Sequence, residues 1–222
     1  MATIYAGTND GMCASDLVSW VSARNHAGAS FDSDDLRDAD GISIYYHAGR
    51  GNAGIKRSFF AFDTSGVSVA PTDGTLKIFG YYTFSADIIA VRSEQGDPID
   101  AGDFNSFPSA AVTALGNSDG SGAGTFAGIS GLTYSNELYT WSVLGYNDIA
   151  LNPTALSDMA SLDTFKVCLM EYDSDYLDIA VTAGVSNGLY FADTAGTGRD
   201  PYIDYTPGVA VTDNATFFGT NF

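Results

Sequence analysis

The sequence predicts an all-β protein: a single jelly-roll-like β-sandwich with short helices in its loops and extensions at both ends. Three observations predict it. The 222-residue chain holds 13 Tyr, 14 Phe and 25 Gly. Aromatic and β-branched side chains suit a pleated surface, and glycine suits the turns between strands. The apolar residues fall into short runs, many of them alternating, broken by turn residues, which is the pattern of many short strands. No fixed-period repeat is present, and one sandwich domain commonly spans roughly 200–250 residues. Hydrophobic residues make up 45% of the chain, enough for a substantial core.

The elements follow in order. Thr3–Ala6 reads as a first strand, stopped by the turn-rich Gly7–Gly11. Asp16–Asn25 places Leu17, Trp20 and Val21 at helical spacing, with Ser15 or Asp16 as cap. Asp32–Asp40 reads as an acidic loop and Ile42–His47 as a strand. In Arg57–Asp63 (RSFFAFD), Phe60 and Phe62 share one face and Phe59 takes the other. Thr75–Ser85 and Asp87–Arg92 read as strands. Ala101–Leu115 holds a short helix near Phe104 and Phe107, and Asn117–Gly131 is a glycine-rich hairpin or loop. Tyr139–Val143 reads as a strand. Asn152-Pro153 opens a helix through Leu162, because proline is favoured at the first helical position. Phe165–Tyr172 (FKVCLMEY) is the most apolar strand and reads as central. Leu177–Val181, Leu189–Phe191 and Pro201–Tyr205 follow as strands. The organisation is residues 1–40 as an N-terminal strand, helix and acidic loop packed on the domain, 41–206 as the sandwich, and 207–222 as a C-terminal extension.

Composition excludes several function classes. There are 27 acidic residues against 9 basic ones, a net charge of -18. Nucleic acid is a poor partner, because its binding rests on Lys and Arg displacing counterions from phosphate. Anionic membrane surfaces are disfavoured for the same reason. Such a charge keeps a chain soluble and also suits cation binding. The N-terminus lacks a basic start followed by an apolar run, so no signal peptide is expected, and no apolar stretch approaches a membrane span of roughly 20 residues. Synthesis in the cytoplasm follows as the expectation. Cys13 and Cys168 are too few for a disulfide scaffold and read as buried thiols.

The motifs that carry chemistry are sparse. Only His26 and His47 could serve a Ser-His-Asp triad, and there is no G-x-S-x-G, so the chain reads as non-catalytic. Two acidic clusters have oxygen donors of the kind calcium takes. One is Asp32, Asp34, Asp35, Asp38 and Asp40, of which Asp34, Asp35, Asp38 and Asp40 are the candidate ligands. It fails the EF-hand pattern, with Leu36 at the first ligand position and His47 at the last, so a solvated acidic loop is the alternative. The other is Asp173, Asp175 and Asp178 beside Glu171. No other cofactor is implied. Tyr45, Tyr46, Tyr81 and Tyr82 are candidate contacts for a sugar or a protein, each adjacent pair placing one ring inward and one outward. Phe217, Phe218 and Phe222 lie beyond the closing strand, either folded back on the sheet or forming an arm that docks on a neighbouring subunit.

At Arg57–Val67 the sequence reads RSFFAFDTSGV, followed by GTLKIFGYY at Gly74–Tyr82 and GLYFADTAGTGRDPYIDY at Gly188–Tyr205. With the helix and strand of Asn147–Leu162 and Phe165–Tyr172, these blocks resemble the DNRLRE-type (disaggregatase-related) β-sandwich over residues 40–206 or so. Within the blocks, Asp63, Thr64 and Ser65 suit a side-chain-capped turn, Arg57 is placed to pair with an acidic neighbour, and Pro201 sits at a strand start, where its missing N–H costs least. The resemblance implies a jelly-roll module related to carbohydrate-binding modules, which often carry structural calcium. It also implies a virion structural protein, most readily a phage head decoration or cement protein at the virion surface. Its expected partners are the major capsid protein and sister copies of itself in a homo-oligomer. The alternative is a carbohydrate- or receptor-binding module of a tail or head fibre, with a host-surface glycan as partner.

Overall fold

A computed structural model describes residues 1–17, 19–26, 30–32, 37–47, 52–109, 124–179, 183–192 and 198–210. Among them eleven strands form one curled antiparallel sheet that closes into a sandwich-like all-β fold. They are β1 (Ala2–Tyr5), β2 (Gly11–Leu17), β3 (Ser30–Asp32), β4 (Arg37–His47), β5 (Asn52–Asp63), β6 (Asp73–Phe84), β7 (Ile88–Arg92), β8 (Tyr146–Ala150), β9 (Thr164–Glu171), β10 (Val185–Tyr190) and β11 (Tyr202–Thr206). The main path runs β1-β11-β6-β10-β4-β5-β2-β3, with β9 joining β5 to β7 and β8 pairing β6.

Alternation in β5 explains the architecture. Phe60 and Phe62 enter one buried cluster with Leu76, Ile78, Phe165, Val167, Leu169, Phe191 and Ile203. Phe59 and Ile55 enter a second cluster on the opposite face with Ile44, Ile89, Val91, Phe104, Phe107 and Phe126. The pairing Phe60↔Val167 sets β9 beside β5, and Val91↔Cys168 sets β7 beside β9. All three strands are therefore covered on both faces. The expectation of a central, very apolar strand at Phe165–Tyr172 holds, because Cys168 and Met170 face the second cluster while Val167 and Leu169 face the first. Each fully buried large apolar side chain contributes about 1.5–3 kcal/mol.

The first cluster lies between this middle layer and β6, β8, β10 and β11, with helix α2 (Pro153–Ser161) closing one end. Asn152 caps α2 by accepting from the Ala155 N–H at 3.0 Å, and Pro153 occupies the first turn. The second cluster is covered by irregular segments and by the short helix α1 (Trp20–Arg24). The turn after β5 forms as its sequence suggests: Asp63 Oδ1 accepts from the Ser65 backbone N–H at 3.0 Å and its hydroxyl at 2.6 Å. Cys13 and Cys168 are buried free thiols.

Four local expectations are corrected. The helix expected over Asp16–Asn25 shrinks to α1, capped by Ser19, because Gly11–Leu17 pairs with β5 as β2. Tertiary pairing there overrides helical spacing. Asp38 and Asp40 are not loop residues: the register Asp38↔Leu189 carries β4 back through them. Tyr139–Val143 forms no strand. The strand lies further on, at β8, where Tyr146 pairs with Phe79. Tyr172–Tyr176 makes a π-helical turn and Leu177 ends it, so the strand expected from Leu177 does not start there. Among the described residues, no helix is long and apolar enough to cross a membrane.

Candidate functional site

The expected contact residues scatter. Tyr45 lies on β4 with its ring against Gly54 of β5, so close that a Cβ there would meet Tyr45 Cζ at 1.8 Å. Tyr45, Phe84 and Val185 line an open groove of about 270 Å³ at the ends of β4, β6 and β10. Tyr46 pairs with Ala53 through its backbone, and its side chain lies outside the described residues. Tyr81 and Tyr82 do not divide into one buried and one exposed ring: both are exposed, at 37% and 44%, because β6 outruns the core at this end. Asp34, Asp35, Phe217, Phe218 and Phe222 lie outside the described residues, as does the side chain of Asp40. Asp38 forms an ion pair with Lys56 at 3.6 Å.

A different constellation emerges on the outward face of the sheet. Leu76 and Ile78 of β6 point into the core, which turns Lys77, Phe79 and Tyr81 outward. The neighbouring strands obey the same alternation. Tyr202 of β11 lies opposite Lys77, Tyr146 of β8 opposite Phe79, and Tyr5 of β1 opposite Tyr202. The result is a continuous row of rings. Successive centroids along Tyr5, Tyr202, Tyr146, Phe79, Tyr190 and Tyr81 are 5.5, 4.8, 5.2, 5.5 and 5.6 Å apart. Most contacts are edge-to-face, the geometry favoured by the ring quadrupole. Tyr5 and Tyr81, at the two ends, are exposed. Burial and the neighbouring Tyr202 push the Tyr146 phenol up to about 12, so it stays protonated and donates to the Asp200 carbonyl at 3.2 Å.

Two guanidinium groups sit against one end of this row. Arg37 lies over the Tyr81 ring at 4.4 Å, and Arg199 over Tyr190 at 4.7 Å and Phe79 at 5.3 Å. Both donate to the same phenolic oxygen, Arg37 Nη1 to Tyr190 Oη at 3.3 Å and Arg199 Nη1 at 2.6 Å. Sequence reasoning found Tyr81 and missed the rest of this face. The alternation of LKIFGYY marks Lys77, Phe79 and Tyr81 as one side of a strand, but which strands flank it is not a local property.

A buried network of charged side chains lies inside. In the second cluster Arg57 holds Asp175 through two contacts of 2.6 Å, Nε to Oδ2 and Nη2 to Oδ1. Its Nη1 donates to the Phe104 carbonyl and to Asn105 Oδ1. Arg24 approaches the same carboxylate at 3.3 Å and also contacts Asp178 at 3.3 Å. Glu171 accepts from the backbone N–H groups of Asp173, Ser174 and Asp175, yet burial lifts its carboxyl group to about 7. Glu171 and Asp175 thus hold a π-turn and two arginines. Among the described residues no group of three or more His, Cys, Asp and Glu side chains is placed to hold a metal ion. Burial also raises Asp87 and Glu137, which neighbour one another and Asp173. Compared with known families and curated proteins, the chain matches no family model and no curated sequence.

Proposed function

We propose that the chain is a non-catalytic virion structural protein, a decoration or cement protein on the outside of a phage head, acting by adhesion. One observation carries the adhesive part: a row of six rings and two guanidiniums lies on the outward face of the sheet, with exposed rings at both ends. Aromatic and arginine side chains are the groups most enriched where proteins bind one another. The non-catalytic part is supported by where the buried charges sit. Arg57, Asp175 and Glu171 are buried and spent on backbone and ion-pair contacts. The virion part rests on the resemblance of RSFFAFDTSGV and GTGRDPYIDY. In this reading Phe217, Phe218 and Phe222 form an arm that meets the major capsid protein or a sister copy.

The test is the copy number of the chain in purified particles, measured by quantitative mass spectrometry against the major capsid protein. Hundreds of copies are expected. A handful would move the chain to a fibre, and complete absence would sink the virion reading. Deleting Thr212–Phe222 should abolish particle binding and leave the fold intact; full binding by the shortened chain would remove the arm. The second reading, a carbohydrate- or receptor-binding module, is favoured by the same aromatic row, since sugar CH groups pack on ring faces.

A further inference from the structure

We propose that Arg37 and Arg199 form an anion site for the carboxylate of an acidic oligosaccharide, whose sugar rings lie along the aromatic row toward Tyr5. The proposal rests on the carbohydrate-binding reading and deepens it.

Positive charge is scarce in this chain. The chain has 9 basic residues against 27 acidic ones. Arg24, Lys56, Arg57, Lys77 and Arg92 each form an ion pair with a carboxylate. Lys166 donates to the Gln95 carbonyl. Arg37 and Arg199 differ: both are exposed, and among the described residues neither forms an ion pair. Instead both reach one neutral oxygen, Tyr190 Oη. In a chain this acidic, two like charges brought together without a carboxylate leave a local positive spot in a negative field.

The geometry limits what fills that spot. Each guanidinium has five N–H donors, and Tyr190 uses one of each. The remaining donors suit a planar carboxylate, which the guanidinium fork matches at two points. Contact with the Tyr81, Tyr190 and Phe79 rings, together with the shared bond to Tyr190 Oη, restrains both groups before anything binds, which lowers the ordering cost of binding. A small free anion would use the guanidiniums alone. The ring row continues away from them through Phe79, Tyr146 and Tyr202, and phenolic hydroxyls stand beside apolar ring faces along it. A sugar has that same mixture, with CH groups on its faces and hydroxyls at its edge. A repeating acidic sugar satisfies both parts of the face.

The test is calorimetric titration of the full chain with three probes: tetragalacturonate, a neutral glucose tetramer, and inorganic sulfate. Tetragalacturonate should bind, and the neutral tetramer at least tenfold more weakly. Arg37→Gln and Arg199→Gln should each weaken tetragalacturonate by roughly 10–100-fold, the loss of one charge-assisted contact. The neutral tetramer should lose much less than tetragalacturonate, and circular dichroism should show both variants folded. Equal binding of the acidic and neutral tetramers, insensitive to both substitutions, would overturn the anion site and leave the carbohydrate reading standing. Sulfate binding that both substitutions abolish, with no tetramer bound, would overturn the sugar assignment. No binding of any probe would overturn both.

Discussion

Arg57 and Asp175 meet in a two-point contact at 2.6 Å with both side chains wholly buried, although 118 residues separate them in the chain. The pair sits in the second apolar cluster, with the guanidinium 4.2 Å from the Phe104 ring centre. It ties β5 to the π-turn that follows β9. A buried pair of this kind is costly to desolvate, and its removal as a whole can be neutral. Breaking one side is a different matter.

Asp175→Asn leaves Arg57 in the interior without its carboxylate and Arg24 with Asp178 alone. The expected loss is about 3–5 kcal/mol of folding stability. Urea denaturation followed by circular dichroism measures it. A loss below about 1 kcal/mol, the scale of a surface pair, would show that solvent reaches the site.

Glu171 makes stability depend on pH. Burial raises its folded pKa from the usual 4.5 to about 7, against the opposing backbone hydrogen bonds. The folded state therefore holds the proton more tightly than the unfolded chain. This contribution is fully present below the unfolded value and is lost as pH rises through the folded one. The full shift corresponds to on the order of 3 kcal/mol. Glu171→Gln should flatten that slope between the two values, measured by urea midpoints across a pH series. An identical slope in both proteins would assign the effect elsewhere.

Gly80 has no room for a side chain. A Cβ there would lie 1.9 Å from the Ser142 carbonyl oxygen and 2.9 Å from Asn147 Nδ2. Asn147 itself staples this loop to β6, accepting from the Ser142 N–H at 2.7 Å and donating to the Ile78 carbonyl at 3.3 Å. Gly80→Ala should cost about 1–3 kcal/mol and shift the emission of Trp141, whose indole N–H donates to Gly188 from the same segment. Wild-type emission and melting temperature would mean that the loop is not pinned there.

The two thiols should be silent in the native protein. Burial, with the Asp103 carboxylate nearby, pushes Cys13 up to about 12, and burial raises Cys168 as well. The thiolate is the reactive form. Ellman's reagent should find no fast thiol at neutral pH and two in guanidinium chloride. Rapid reaction of either thiol under native conditions would contradict the packing of the second cluster.

Much of the fold is legible in short runs of sequence. The alternation of RSFFAFD places Phe60 and Phe62 opposite Phe59, Asn152-Pro153 starts α2, and Asp63 turns the chain after β5. The failures share one cause. Leu17, Trp20 and Val21 carry helical spacing, but β5 offers residues up to Leu17 a strand partner, and pairing wins. Asp38 and Asp40 look like loop residues, but the register with β10 extends β4 through them. The acidic run at Asp173–Asp178 has calcium-like spacing, yet Asp175 and Asp178 meet arginines from β5 and α1.

By itself the sequence determined the all-β class, most of the strands, the division of the β5 phenylalanines between two faces and the strong negative charge. Those follow from backbone periods and composition, which are local or additive. The tertiary structure alone decided that Arg57 meets Asp175, and that Tyr5, Phe79, Tyr81, Tyr146, Tyr190 and Tyr202 align across five strands beside Arg37 and Arg199. The reason is register. A strand's own pattern says which side chains share a face, but only the pairing of distant strands says which faces lie side by side.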